Sequence, residues 1–312
     1  AAAAGLGAAA RRGLMFRSAD GLLDLVEVDT IGLDKTGTVT EGDLKVVAAD
    51  DAILRVAAGL ERFSMHPIAR AIVSEAIERG IPLPRGEAIT EEPGKGVRGR
   101  VDGREWRIST GGPGEIALSN EEGEVGRIRL GDMVRRDSAD AINLFVKRGL
   151  DVVLLSGDHA DVAERIAAEA GVPRVWAEVD PEGKAVWVRE AQSAGRRVAF
   201  AGDGLNDGPA LAAADVGIAM GTGAASSVLV ADGVISTWSL KPLAEGFRVA
   251  DACRTAIRWN QRRSIAYNVV AVSAAAAGLI NPLVAAILMP ASSAMVIWGS
   301  SRVEVSMRRE RT

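Results

Sequence analysis

The chain has 312 residues, enough for two ordinary domains or one large one. Lys and Arg number 37 against 41 Asp and Glu, a formal net charge of -4, which gives no reason to expect nucleic acid as a partner. A single cysteine, Cys253, excludes an intrachain disulfide and any cysteine-cluster metal site.

The first residues are alanine-rich and run into Arg11-Arg12, with neither an initiator Met nor a basic region ahead of the apolar stretch. They read as the tail of a membrane helix, residues 1–13, and the chain as a C-terminal fragment of something longer. Residues 26–33 form an apolar-rich run ending at Asp34, a strand that delivers an acid to a loop broken by Gly37 and Gly42. Residues 52–80 have helical periodicity interrupted at His66-Pro67, where Pro67 suits the first turn of a second helix. Residues 80–126 are rich in Gly, Pro and charge, with short strand-like pieces such as 97–101.

Beyond residue 128 the texture changes. Helical segments at 137–147, 160–170 and 182–194 alternate with apolar strands at 152–155, 198–201 and 216–219. That alternation predicts an α/β, doubly wound parallel sheet, with residues 46–125 inserted after its first strand. Such a sheet places its chemistry at the carboxyl ends of its strands, where Asp34, Ser156-Gly157-Asp158 and Gly202-Asp203 all stand.

The end of the chain differs in kind. Residues 265–279 and 283–298 are uncharged and separated by Asn281-Pro282, with Arg262-Arg263 before and Arg302, Arg308, Arg309 and Arg311 after. Each run is shorter than the ~20 residues that span a bilayer comfortably, but the basic flanks suit a transmembrane helical hairpin with both ends in the cytoplasm. A buried helical hairpin in a soluble protein is the alternative.

The sharpest chemical signal is Asp34-Lys35-Thr36-Gly37-Thr38-Val39-Thr40. A carboxylate after a strand, ringed by small residues and backbone amides, can attack a phosphoryl group and receive it. The run resembles the signature of P-type ATPases. The second signal is Gly202-Asp203-Gly204-Leu205-Asn206-Asp207-Gly208-Pro209, which is similar to the hinge motif of that family. Phosphate oxygens and a nucleophilic carboxylate repel one another unless a divalent cation bridges them. Asp34, Asp203 and the main-chain carbonyl of Thr36 are the expected Mg²⁺ ligands, with Asp207 orienting groups around the metal.

The resemblance implies that the Ser156 hydroxyl and Lys184 contact the transferred phosphoryl, and that Thr36, Asp158 and Asn206 help to hold the nucleotide. The chain has Ser156 where most relatives carry threonine. Hydrolytic relatives in the haloacid dehalogenase superfamily carry a second acid two residues after the nucleophile. Here that position is Thr36, so a long-lived aspartyl phosphate is expected rather than fast phosphatase turnover.

Ser64-Met65-His66-Pro67 and Pro93-Gly94-Lys95-Gly96-Val97 resemble signatures of heavy-metal-transporting P-type ATPases. They imply an α+β nucleotide-binding domain in the inserted segment, with Glu61, His66, Gly94 and Gly96 around ATP. Met65 departs from the acidic residue usual there, and a plain helix cap is the other reading of His66.

In the apolar runs, Tyr267-Asn268 and the Met289 to Ser293 stretch look like those of copper(I)-transporting members. Met289 and Ser293 share one helix face, and a thioether is a soft ligand suited to Cu(I). Helix packing explains the serines almost as well.

The expected organisation is therefore a phosphorylation domain of haloacid dehalogenase type at 14–45 and 126–259, a nucleotide domain at 46–125, a hairpin at 260–302 and a cytoplasmic tail at 303–312. The resemblance implies ATP-driven cation transport in a bacterial inner membrane, with cytoplasmic catalytic domains and room for a metal-delivering chaperone. It also implies an actuator domain and upstream membrane helices that this sequence lacks, so the chain alone is expected to bind ATP without transporting. A soluble phosphatase of the same superfamily and a catalytically silent nucleotide-binding module are the competing readings.

Overall fold

The structure is a computed structural model that describes residues 1–92, 94–112, 114–203, 206–221 and 225–278. It divides into two compact units, one of residues 1–39 with the chain from 134 onward, the other of residues 40–133.

The first unit opens with α1 (Ala2–Ala10), β1 (Leu14–Phe16), α2 (Ala19–Asp24) and β2 (Thr30–Asp34). β2 is buried throughout, as a parallel strand covered on both faces must be. It is shorter than the expected 26–33 because the chain turns at 26–27, where Val26 and Glu27 close hydrogen bonds back to Leu23 and Asp24.

The second unit follows, with β3 (Thr40–Ala48), α3 (Asp51–Glu61), α4 (Pro67–Glu78), β4 (Glu87–Glu92), β5 (Gly96–Val101), β6 (Arg104–Gly112), β7 (Glu115–Asn120) and β8 (Gly123–Val134). Its antiparallel sheet has the order β3-β8-β7-β6-β5-β4. One face carries Val97, Val101, Ile108, Leu118 and Ile128, which pack with Leu54, Ala58 and Ile72 of the two helices. Asp50 caps α3 by accepting from Ala52 N at 2.8 Å, and Pro67 occupies the first turn of α4. The unit reaches beyond the expected 46–125 because its first and last strands begin and end in charged, glycine-bearing sequence that carries no apolar alternation.

The chain then completes the first unit with α5 (Ser138–Lys147), β9 (Asp151–Leu155), α6 (Ala160–Ala170), β10 (Arg174–Trp176), α7 (Pro181–Ser193), β11 (Val198–Gly202), α8 (Gly208–Ala213), β12 (Val216–Met220), α9 (Ala225–Val230), β13 (Gly233–Ile235) and α10 (Lys241–Ala276). Its seven-stranded sheet has the order β1-β13-β12-β11-β2-β9-β10, parallel except for β1. Side chains alternate between two cores. Ile31, Leu33, Val152 and Leu154 face one, and Val153, Leu155, Phe200 and Trp187 the other.

Gly32 lies where these layers are closest. A Cβ there would stand 2.8 Å from the Trp187 ring, 3.0 Å from Phe200 and 3.1 Å from Leu155. Gly32→Ala is expected to destabilise the unit by ~1–3 kcal/mol through overpacking, read as a lower urea midpoint at unchanged slope.

α10 carries the chain past the last strand of the sheet. It runs for 36 residues through position 260 without a break, because arginines such as Arg262 and Arg263 favour a helix rather than end one. Its first half is held down. Phe247 meets Phe145 edge-on at 5.9 Å, and Arg148 lies over the Phe247 ring while pairing with Asp251. Past Cys253 the large apolar residues turn outward, with Trp259, Ile265, Val269, Val270 and Val272 all exposed. Among the described residues no helix is long and apolar enough to cross a membrane. The uncharged run within α10 starts only at Ser264, and the second run, 283–298, lies outside the described residues.

Candidate active site

Three adjacent parallel strands, β11, β2 and β9, end at one edge of the sheet. The register pairs Ala201 with Leu33 and Asp34 with Leu155, so Asp203, Asp34 and Ser156 emerge side by side. α7 adds the cation. Asp180 caps it by accepting from Gly183 N at 2.7 Å, Pro181 sets its first turn, and Lys184 projects from that turn.

These residues line a cavity of about 290 Å³, together with Thr36, Asp158, Asn206 and Asp207. Lys184 donates to Asp34 Oδ1 and, at 2.7 Å, to Asp207 Oδ1. All three side chains are buried. Ser156 is also buried and its Oγ accepts from Asp158 N at 3.1 Å, an arrangement that leaves the hydroxyl its own proton to donate. Sequence reading gave Lys35 no role. Its ammonium pairs with the Asp158 carboxylate at 2.7 Å, joining the loops after β2 and β9.

The loop after Asp34 is shaped for close approach. Gly37 has φ +73, and a Cβ on it would stand 2.9 Å from Asp203 Oδ2. No larger residue fits that position without moving the carboxylate. Gly202 is similar, since its Cβ would stand 2.8 Å from Asp207 Cγ.

The electrostatics follow from crowding. Asp34, Asp203 and Asp207 offer carboxylate oxygens within 4.8 Å of one another. Burial pushes the Asp34 carboxyl up to about 7; the Asp207 charge adds to that, Lys184 works against it, and Asp203 adds a smaller push. Burial alone would lower the Lys184 ammonium, but the Asp34 and Asp207 carboxylates outweigh it and hold the group above its ordinary value. The three carboxylates offer an oxygen donor set that fits Mg²⁺, and the Lys184 ammonium offsets only part of their charge. The metal would relieve repulsion that the fold itself leaves in place.

The second unit holds a separate cluster. Glu61, at the end of α3, is only 5 % exposed, and its Oε2 has no hydrogen-bond partner among the described residues. Burial raises its carboxyl above the usual value and the charge of Glu91 adds to this, while His66 and a hydrogen bond from Ser64 oppose it. His66 is the N-cap of α4, its Nδ1 accepting from Ile68 N at 3.3 Å. The cap engages only one ring nitrogen. Gly94 has φ +74 with open space where a Cβ would be, and Gly96 has φ +114 against the Ile108 backbone.

The residues expected at the transported ion are not assembled among the described residues. Tyr267 and Asn268 lie on the outer half of α10, half-buried and exposed respectively, while Met289 and Ser293 lie outside the described residues.

A family model for haloacid dehalogenase-like hydrolases matches residues 28–215. The chain is 36% identical over 337 residues to copper-transporting ATPase 2 of Rhizobium meliloti (strain 1021), a match covering 96% of this chain and 41% of that protein. It is 30% identical to the catalytic domain of the CPx-ATPase CopB-B, over 78% of this chain and 98% of that one, with a TM-score of 0.66. A zinc-transporting PIB-type ATPase in the E2.Pi state superposes with a TM-score of 0.91 at 28% identity, over 97% of this chain and 54% of that one. The chain thus spans about two-fifths of the copper-transporting relative and nearly all of an isolated catalytic domain. Sequence and fold agree that it belongs to the haloacid dehalogenase-like hydrolases and, among them, to the heavy-metal P-type ATPases.

Proposed function

We propose that the chain is the phosphorylation and nucleotide-binding part of an integral membrane pump that moves a heavy-metal cation, Cu(I), at the expense of ATP. The observation that carries this reading is the buried ion pair of Asp34 and Lys184 inside a carboxylate cluster at the ends of three neighbouring strands.

Asp34 Oδ attacks the γ-phosphorus of ATP; a new P–O bond forms, the bond to the β–γ bridging oxygen breaks, and ADP leaves with that electron pair. The Lys184 ammonium and the Ser156 hydroxyl offset charge on the equatorial oxygens of the moving group. Asp34, Asp203 and the Thr36 carbonyl would hold Mg²⁺, with Asp207 beside them; when bound, it supplies charge neutralisation between phosphate and carboxylate. Thr36 supplies no general acid or base to activate water, so the aspartyl phosphate persists. That persistence suits a pump and not a phosphatase, for which rapid hydrolysis of p-nitrophenyl phosphate would be the supporting result.

Nucleotide is held by Glu61, His66, Gly94 and Gly96 of the second unit. The support is the buried, unpartnered Glu61 oxygen, which a donor on the base would satisfy. Glu61→Gln is expected to weaken ATP binding by about tenfold in calorimetry, the loss of one charge-assisted hydrogen bond. Thermal stability without nucleotide is expected to hold or rise, because a buried carboxylate has been removed. Unchanged ATP affinity would sink this assignment.

The membrane part of the proposal rests on the exposed apolar face of α10 beyond Cys253 and on the uncharged run that follows it. Cu(I) would be held by Tyr267, Asn268, Met289 and Ser293. The test is phosphorylation of the full-length protein by γ-labelled ATP with Cu(I), Zn²⁺ or no metal. Acid-stable, hydroxylamine-labile label that rises with Cu(I) is expected. Label rising only with Zn²⁺ would keep the pump and overturn the ion.

A further inference from the structure

Arg135 stands just after β8 in the charged run Arg135-Arg136-Asp137, which reads as a solvated surface. Instead it is 7 % exposed, and its guanidinium donates to main-chain carbonyls. Nη2 donates to the Gly37 carbonyl at 2.9 Å, Nε to Thr38 at 3.2 Å and Nη1 to Trp238 at 3.3 Å. The Arg135 amide donates to the Val39 carbonyl at 3.1 Å, and Ser138 Oγ donates to the same carbonyl at 2.8 Å. The Trp238 ring, 56 % exposed, has its centre 5.0 Å from the guanidinium carbon.

Three consecutive carbonyls of the loop behind Asp34 are thus fixed by one short segment, and two of them by one planar cation. Gly37 is also the residue against which Asp203 packs, so movement of that loop shifts the nucleophile's neighbour as well. The guanidinium's other carbonyl partner belongs to Trp238, three residues before α10 begins. Nearby, Ser239 donates to the Asp137 carboxylate and Lys241 lies 3.5 Å from Asp140, so the same stretch is pinned to the start of α5.

We propose that Arg135 is a positioning residue for phosphoryl transfer. It fixes the loop behind Asp34 and, through Trp238, ties that loop to the segment entering α10. This rests on the reading of Asp34 as the phosphorylated residue. Arg135 touches no reacting atom; it acts through the loop. A guanidinium reaches three carbonyls with a rigid fork, whereas the point charge of a lysine serves fewer of them.

The test measures two quantities in the full-length ATPase: the initial rate of acid-stable phosphoenzyme formation at saturating ATP, and the dissociation constant of ATP. Arg135→Met is expected to slow phosphorylation about tenfold with ATP affinity unchanged, as misplacement of a reacting group does. Arg135→Lys is expected to recover part of that rate. Trp238→Leu keeps the carbonyl, loses the ring and is expected to slow the reaction about threefold. The double variant is expected to be no slower than Arg135→Met alone, because both changes act on one tie.

Full rates in Arg135→Met, or a loss confined to ATP affinity, would overturn the proposal, and multiplicative losses in the double variant would overturn the tie to α10. Should Arg135→Met fail to fold, wild-type rates in both Arg135→Lys and Trp238→Leu would overturn it equally. No phosphoenzyme in the unmodified protein would instead overturn the nucleophile reading, and the role of Arg135 with it.

Discussion

Asp34→Asn is expected to abolish the acid-stable phosphoenzyme, with residual label at least about a thousandfold below wild type. An amide is no nucleophile, and no neighbouring carboxylate replaces it. Asp207 is held by Lys184, and Asp203 lies on the loop after the neighbouring strand β11, at the position expected for a metal ligand. ATP binding is expected to persist, since the cluster around Glu61 belongs to the other unit.

The same substitution has a second, opposite consequence. Folding raises the Asp34 carboxyl from 3.8 to about 7, so between those values the folded state binds a proton that the unfolded state has lost. Stability of the metal-free protein therefore falls as pH rises from about 4 through 7. In Asp34→Asn that slope is expected to flatten, and at pH 8 without Mg²⁺ the variant is expected to melt above wild type. Added Mg²⁺ is expected to stabilise wild type more than the variant. Thermal melts across pH, with and without Mg²⁺, measure both. A variant that melts below wild type at pH 8 would mean that the Lys184 contact outweighs the repulsion.

Much of this was legible because parallel strands read as continuous apolar runs. The segments at 152–155, 198–201 and 216–219 announce themselves, and a doubly wound order then brings Asp34, Ser156 and Asp203 to one edge without further information. His66-Pro67 likewise marks the start of α4, because proline fits a first turn and little else in a helix.

What stayed hidden depends on distance along the chain. Arg135 is indistinguishable from Arg136 in sequence, and only a partner 98 residues away makes one of them structural. The pair of Lys35 and Asp158 is hidden for the same reason. The first and last strands of the second unit extend further than apolar alternation shows, because Gly42 breaks the pattern in β3. β3 pairs nevertheless, since β8 supplies the missing hydrogen bonds and Asp132 accepts from Thr40 and Gly42. At residue 260 the composition changes but the helix does not end, because arginines favour a helix and α10 continues.

Lys184→Met is the change expected to damage both chemistry and fold. Methionine preserves much of the buried volume but removes the ammonium that donates to Asp34 and Asp207. Phosphorylation is expected to fall about a hundredfold or more, since a buried fixed cation stabilises charge on the transferred group far better than solvent does. Breaking one side of a buried ion pair also costs about 3–5 kcal/mol, because the carboxylates left behind are desolvated and crowded. That loss has a signature. It is expected in full near pH 8 and should shrink toward pH 5, where the Asp34 carboxyl, raised by burial to about 7, takes up a proton and the repulsion eases. Urea unfolding at the two pH values, without Mg²⁺, would read it directly. A loss that does not change with pH would point to packing instead of charge. Normal phosphorylation in Lys184→Met would remove the lysine from the reaction altogether and leave it as a counter-ion that only holds the cluster together.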